Sequence, residues 1–384
     1  MPGRVGPLSG FRVIEMAGLA PGPFCAMMLA DMGAEVLRIA RPGVVGDEHS
    51  EHYLLNRSRR CIAIDLKNSA GRETLARLLS SSDAFIEGFR PGVMERLELG
   101  PDDCFAFNRR LVYGRMTGWG QDGPLAMTAG HDINYIALSG ALHSIGRKGE
   151  PPSIPLNLIG DFGGGGMYLA FGIVCALLEA SRSGQGQVVD ASMLDGAASL
   201  MTYMFGLRAA GQWSDVRGEN IVDGGAPWYH IYETKDGKYI SIAAFEPAFY
   251  AELLRLTGLA NAPDLPAQHD RVRWPELEAR FAQVFRSRTR AEWCALMEGS
   301  DACFAPVLDL SEAVAHPHTI ARRSFVEVAG VLHPAPAPRF SRTSTSDPTP
   351  PSVPEQQPAG VLANWGFDAK EVAALGRQGA FGGV

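Results

Sequence analysis

The sequence predicts an α/β fold: a parallel sheet built from βαβ units, followed by a smaller α+β domain. Three observations carry this. Short β-like apolar runs alternate with amphipathic helical runs through the first third of the chain. The loops between them are rich in glycine and arginine. Near Gly224 the texture changes to a hairpin followed by helices.

In order, "FRVIEMA" (11–17) reads as a strand, "GLAPGP" as a turn, and about Phe24 to Met32 as a helix. "AEVLRIA", "CIAIDL", "DAFIEGF" and "RLVYGRMTG" are further strands, with helical periodicity in "AGRETLARLLSSS" and "GVMERLEL". Such sheets bind ligands in the loops at the carboxyl ends of their strands. A glycine-headed apolar helix runs from Gly160 to Ala180. Its uncharged part, 162–178, is short and glycine-broken for a membrane span, so a buried core helix is expected. "GQGQVVDASMLDGAASLMTYMFGLRAAG" reads as a short strand and a long helix. In "APWYHIYETKDGKYISIAAFE" two β-rich runs flank "KDGK", a hairpin signal. "PAFYAELLRLTGL", "WPELEARFAQVFRS" and "RAEWCALMEGSDACFAPVLDLSEAVAH" supply helical segments. From His333 a stretch rich in Pro, Ser and Thr reads as an extended surface segment, packed in places.

The chain has 384 residues, 46% hydrophobic and 20% charged, with net charge -7. That is an ordinary soluble composition, and it points away from nucleic acid and anionic membranes as main partners. "MPGRVGPLSG" has no signal-peptide core and "GAFGGV" no targeting signal, so a cytoplasmic location is expected. The six cysteines are scattered, without CxxC pairs, and read as reduced core residues. The "HPH" of His316–His318 has no evident third metal ligand and reads as a loop.

P-loop, dinucleotide and GxSxG signatures are absent. Basic residues gather instead in the N-terminal half. Arg38 and Arg41 follow a strand; Arg57, Arg59, Arg60 and Lys67 cluster; Arg90 and Arg96 flank "PGVMERL". Guanidinium groups in loops after strands suit a polyphosphate, and a solvated basic face is the competing reading. Three acid or base candidates sit in loop settings: His131 in "TAGHDINY", Asp161 in "NLIGDFGGGGMYLA" and Glu246 in "AAFEPAFY". Histidine titrates near neutrality and can take or give a proton. Asp161 at a helix head is equally an N-cap, and Glu246 before Pro247 an exposed helix start. Asp132 either orients His131 or caps a helix.

The segments "LAPGPFCAMMLADMGAEVLRIARP", "MTGWGQDGP", "AGHDINYIALSG", "PLNLIGDFGGGGMYLA", "GQGQVVDASMLDG", "DGGAPWYHIYET", "EPAFYAELL" and "SDACFAPVL" occur in this order. Together, from Pro7 to about Arg342, they closely resemble the α-methylacyl-CoA racemases of the family III CoA-transferase superfamily. The resemblance implies a large, discontinuous, Rossmann-like CoA-binding domain (1–200, with 325–384 returning to it). It implies a connecting segment (201–225), a small α+β domain (226–324), and an interlocked homodimer with interface active sites. It implies catalytic roles for His131 and Asp161 and a supporting one for Glu246. CoA contacts carry over to Arg41, Ile64, Asp65, Leu66, Lys67, Gly88, Phe89, Arg90, Arg96, and to Gly130, Asp132, Ile133, Asn134 and Tyr135 of the "GHDINY" loop. The loop "VVGDEHSEHYLL" (44–55) matches poorly, and the segment from about Thr343 has no useful match.

The expected activity is racemisation of 2-methyl-branched acyl-CoA thioesters. One of His131 and Asp161 removes the α-proton and the other reprotonates the enolate from its opposite face. Backbone N–H groups around Gly163 and Gly164 are candidate donors to the thioester oxygen. No metal, flavin or nicotinamide is required, and CoA is part of the substrate. The alternative is a family III CoA-transferase with Asp161 as nucleophile, which has no need of His131.

Overall fold

A computed structural model describes residues 5–43, 50 and 52–382. Most of the 44–55 loop lies outside the described residues. The chain divides into two compact units: Met1–Gly140, Pro155–Met201 and Arg323–Val384 form one, Ala141–Ile154 and Thr202–Arg322 the other.

The first unit is built on β1 (Arg12–Met16), α1 (Pro21–Asp31), β2 (Glu35–Ala40), β3 (Arg60–Ala63), α2 (Ser69–Ser80), β4 (Ala84–Glu87), α3 (Val93–Arg96), α4 (Pro101–Phe107) and β5 (Val112–Thr117). α5 (Asp132–Leu138) follows; the single turn α6 (Ala141–Ser144) falls in the second unit. A π-helical run, Leu158–Gly166, then leads into α7 (Met167–Ser183), β6 (Val188–Ser192) and α8 (Met193–Leu200). Six strands form one sheet in the order β3-β2-β1-β4-β5-β6, all neighbours parallel. The order reverses between β1 and β4, and that reversal opens a crevice at the strand ends.

Both faces of the sheet are covered, so the central strands bury apolar side chains on both faces. On one face Ile14, Leu37, Ile62, Phe85 and Tyr113 pack with Leu75, Leu78 and Trp365. On the other Val13, Val36, Ile86 and Val112 meet Cys25, Leu29, Leu169 and Ile173. α1 starts at Pro21, earlier than expected, because proline is favoured in a first helical turn. α4 was not expected; Gly100 precedes its Pro101, and Asp103 accepts the Gly100 N–H.

α7 departs from the expectation of a buried helix. Leu169, Ile173, Ala176 and Leu177 are buried, whereas Met167, Phe171, Val174 and Leu178 are exposed. Cys175, in the same "IVCALL" run, is exposed too; Cys25, Cys61 and Cys104 are buried, Cys294 and Cys303 half-buried, and all are free thiols.

In the second unit α9 (Thr202–Ala209) precedes the antiparallel strands β7 (Tyr229–Glu233), β8 (Tyr239–Ala243) and β9 (Phe304–Pro306). Between β8 and β9 lie α10 (Pro247–Thr257), α11 (Trp274–Phe285) and α12 (Arg290–Met297). They enclose Trp228, Phe281, Phe285 and Trp293. The expected long helix after β6 breaks at Met201, between α8 and α9. Residues 141–154, expected in the large domain, group with 202–322, because Arg217 donates to the carbonyls of His143 and Glu150. The expected connector 201–225 also falls there from Thr202 onward. α13 (Leu310–Ala315) leads to α14 (Pro317–Ala321), and His316 is no loop residue but caps α14, accepting the His318 N–H.

The chain returns to the first unit with the hairpin β10 (Phe325–Val328) and β11 (Val331–Pro334). The Pro/Ser/Thr-rich segment then runs along the sheet's edge strand β3. Ser352 Oγ donates to the Arg59 carbonyl, and the Glu355 N–H donates to that of Cys61. An edge so covered cannot pair with another chain. α15 (Ala359–Leu362) and α16 (Ala369–Arg377) close the chain, with Phe367 and Val372 in the core.

Candidate functional site

Two cavities lie along the carboxyl ends of the strands. The first, about 500 Å³, is lined by Arg38–Ala40 at the end of β2 and Arg41 just after it, Ile64–Lys67 after β3, and Val93 and Leu97. The second, about 530 Å³, takes Pro21–Pro23, Ile86–Pro91, Met116–Trp119, Ala126 and Thr128–His131, with Tyr135, Asp161 and Met193. Met16–Leu19 and Phe89 line both, so the cavities adjoin at the reversal of strand order.

Of the residues expected to contact CoA, Arg41, Ile64, Asp65, Leu66 and Lys67 line the first cavity. Gly88, Arg90, Gly130 and Tyr135 line the second, and Phe89 both. Arg96, Asp132, Ile133 and Asn134 line neither. Arg96 sits on α3 beside Gly92. The Asn134 side chain accepts the His131 N–H at 3.0 Å.

The basic cluster divides in two. Arg57 is paired with Asp31 and Arg59 with Glu15, both at 2.5 Å and out of solvent. Arg60 forks onto Glu355. These three belong to the fold, contrary to the phosphate reading. Arg38 does not follow β2 but lies inside it, buried. Arg41, Lys67 and Arg90 are exposed and form no ion pair with any described residue. Their charge is available to an anion at the cavities.

His131 precedes α5 in extended backbone, with its side chain at the second cavity. Asp161 reaches the same cavity from the first turn of the π-helical run. It is not that helix's N-cap; Asn157 holds that position, and its side-chain amide donates to Asp161 Oδ2 at 3.0 Å. Burial pushes the Asp161 carboxyl above the usual carboxylate range, and the nearby Asp132 adds to the rise; Asn157 and His131 pull it back. A carboxyl so placed keeps its proton to higher pH than an ordinary one, which is the state an acid needs.

Asp132 is nearly fully buried, and its Oδ2 accepts the backbone N–H of Gly160 at 2.6 Å and of Asp161 at 2.8 Å. A Cβ on Gly160 would lie 2.5 Å from that oxygen, so only glycine fits. Two later glycines of the same run pack against neighbouring helices, Gly164 against α8 and Gly166 against α1. Gly164 is buried against α8, where a Cβ on Gly196 would stand 1.8 Å from the Gly164 carbonyl oxygen. Neither Gly163 nor Gly164, the expected backbone donors to the thioester oxygen, lines the cavity of Asp161; a Cβ on Gly163 would meet Leu158 and Leu200.

Glu246 is the exposed N-cap residue of α10 in the second unit, and its side chain makes no capping hydrogen bond. It is not among the residues lining the cavity of His131 and Asp161. Glu87, which the sequence did not single out, is buried at the end of β4. It accepts the Phe89 N–H at 2.7 Å and Arg115 Nε at 3.0 Å. Its position at a strand end beside "GF" was the available signal. Among the described residues no cluster of His, Cys, Asp and Glu could hold a metal ion.

The chain is 48% identical to the mouse (Mus musculus) alpha-methylacyl-CoA racemase and 44% to the human (Homo sapiens) one, over 96% of both chains in each case. A crystal structure of a CaiB/BaiF family protein from Brucella suis shares the fold, with TM-score 0.79 over 94% of this chain and 100% of that one, at 24% identity. Sheet order, the paired cavities and a match from residue 8 to residue 361 lead to one assignment: this chain belongs to CoA-transferase family III.

Proposed function

We propose that this protein is a racemase of 2-methyl-branched acyl-CoA thioesters, acting by α-proton removal and return. The observation that carries the reading is the presence of His131 and Asp161 on one cavity, beside a second cavity with available cations. Similarity to alpha-methylacyl-CoA racemases over nearly the whole chain supports it.

Arg41 and Lys67 provide charge for the phosphates of CoA, and Phe89 stands where pantetheine passes from one cavity to the other. The thioester carbonyl acidifies the α-hydrogen. One of His131 and Asp161 takes that proton, leaving a planar enolate, and the other delivers a proton to the opposite face. The starting epimer decides which residue is base. Each turnover leaves both protonation states exchanged, and proton exchange with solvent restores them. CoA arrives as part of the substrate, and no resident cofactor enters. The functional assembly is a homodimer, and Glu246 plays a supporting role.

Incubation with one epimer of a 2-methylacyl-CoA in D2O tests the reading. Deuterium is expected at the α-carbon with loss of optical purity. His131→Ala and Asp161→Ala each lower the rate by at least about 100-fold, the usual worth of a positioned acid or base. Transfer of CoA to an added free acid, with no α-exchange, would establish the transferase alternative instead.

A further inference from the structure

His131 and Asp161 lie on elements distant in sequence, yet both must face one carbon. The residue after His131 joins them. Asp132, in the first turn of α5, extends its carboxylate to the start of the π-helical run and accepts the N–H groups of Gly160 and Asp161. These donors fall in the first turn of that run, where backbone N–H groups lack partners within the helix. We propose that Asp132 is a positioning residue for the reaction, its Oδ2 clamping the backbone of Asp161 to the loop that bears His131. This rests on the proton-transfer reading above.

Three features separate the clamp from an ordinary cap. The acceptor comes from a different helix, 28 and 29 residues away in sequence. Gly160 leaves no room for a side chain at the contact. The second oxygen, Oδ1, is buried with no hydrogen-bond partner among the described residues. A carboxylate kept out of water with one oxygen unsatisfied costs stability. An alanine would avoid that cost but leave both N–H groups without their acceptor.

The charge has its own consequence. Asp161 is faced by Asp132, His131 and Tyr135, and Asp132 is the like charge among them. Replacing that charge by a neutral acceptor lowers the Asp161 pKa. When Asp161 is the base, the acid limb of the rate profile moves to lower pH. When Asp161 is the acid, the alkaline limb moves to lower pH.

The experiment compares Asp132→Asn, Asp132→Ala and Gly160→Ala with wild type, using α-exchange from each epimer across pH, kcat and KM separately, and thermal unfolding. Asp132→Asn keeps an oxygen acceptor. It is expected to retain most of kcat while the Asp161 limb moves down for both epimers. Asp132→Ala and Gly160→Ala are expected to lower kcat at least tenfold with KM for the CoA thioester nearly unchanged. Should Asp132→Ala fail to fold, the other two variants still decide. An Asp132→Asn profile identical to wild type, or kcat losses explained wholly by lowered Tm, overturns the proposal. Wild-type protein without α-exchange overturns the racemase reading itself, a separate and recognisable outcome.

Discussion

Arg57, Arg59 and Arg41 look alike in sequence, and their surroundings separate them. The first two meet carboxylates out of solvent, where losing one partner costs about 3–5 kcal/mol because the other charge stays buried. Arg41 meets none among the described residues and faces a cavity. Glu87 shows the same influence of burial on a carboxyl group. Burial raises it from the ordinary 4.5 to about 7, against the pull of the Phe89 N–H and Arg115. Its folded value lies above its unfolded one, so the folded state binds the extra proton between these values. Stability from this group is therefore full below about pH 4.5 and is lost as pH rises through about 7. Glu87→Gln keeps an oxygen for the Phe89 N–H and removes the titration. Relative to wild type, the variant is expected to gain on the order of 3 kcal/mol between pH 4.5 and 8. Denaturant unfolding at the two pH values checks this; parallel pH dependences would show that Glu87 does not titrate in this range.

At the scale of elements, the first six strands were legible because apolar runs bounded by turn residues encode strands locally. The roles of the arginines were not, since their partners Asp31, Glu15 and Glu355 lie 26, 44 and 295 residues away. That Gly163 and Gly164 do not line the cavity of Asp161 was not legible for a similar reason. Gly164 packs on the backbone of α8 and Gly163 meets the Leu200 side chain, neighbours that no local pattern reports. His131 and Asp161 were found by residue type and resemblance; that Asp132 links them required the fold. The glycine crossing supports a prediction. Gly196→Ala drives a methyl group into the Gly164 carbonyl, three residues along the run from Asp161. Overpacking of this kind costs about 1–3 kcal/mol, and the displaced run carries Asp161 with it. Gly206→Ala, on α9 with nothing within 4 Å of the added carbon, is the control. It should be neutral or stabilising by up to about 1 kcal/mol. Unfolding midpoints and α-exchange rates of the two variants check this; a Gly196→Ala protein as stable and active as wild type contradicts the packing account.

For the whole molecule, the outstanding feature is apolar surface left uncovered within one chain. Leu158–Ser183 is long and apolar enough to cross a membrane. Its buried side, however, is already packed through Leu169, Ile173 and Leu177 onto the sheet core. The opposite side presents Met167, Phe171, Val174 and Leu178, with Phe171 68% exposed. In the second unit α9 buries no residue at all and exposes Tyr203 and Phe205. Exposed apolar side chains spaced along one face of α7 in this way mark an interaction face. The homodimer proposed above would cover such a face on both copies at once. In the proposed homodimer, charges on the outer side of α7 must therefore act on assembly before they act on the fold. Phe171→Glu with Leu178→Glu is expected to shift the sedimentation coefficient from dimer to monomer at micromolar concentration. α-Exchange should fall with the dimer fraction, while circular dichroism and the buried side of α7 stay unchanged. Wild-type protein sedimenting as a monomer at the concentration where it is fully active would remove the dimer from the mechanism and leave the apolar face to another partner.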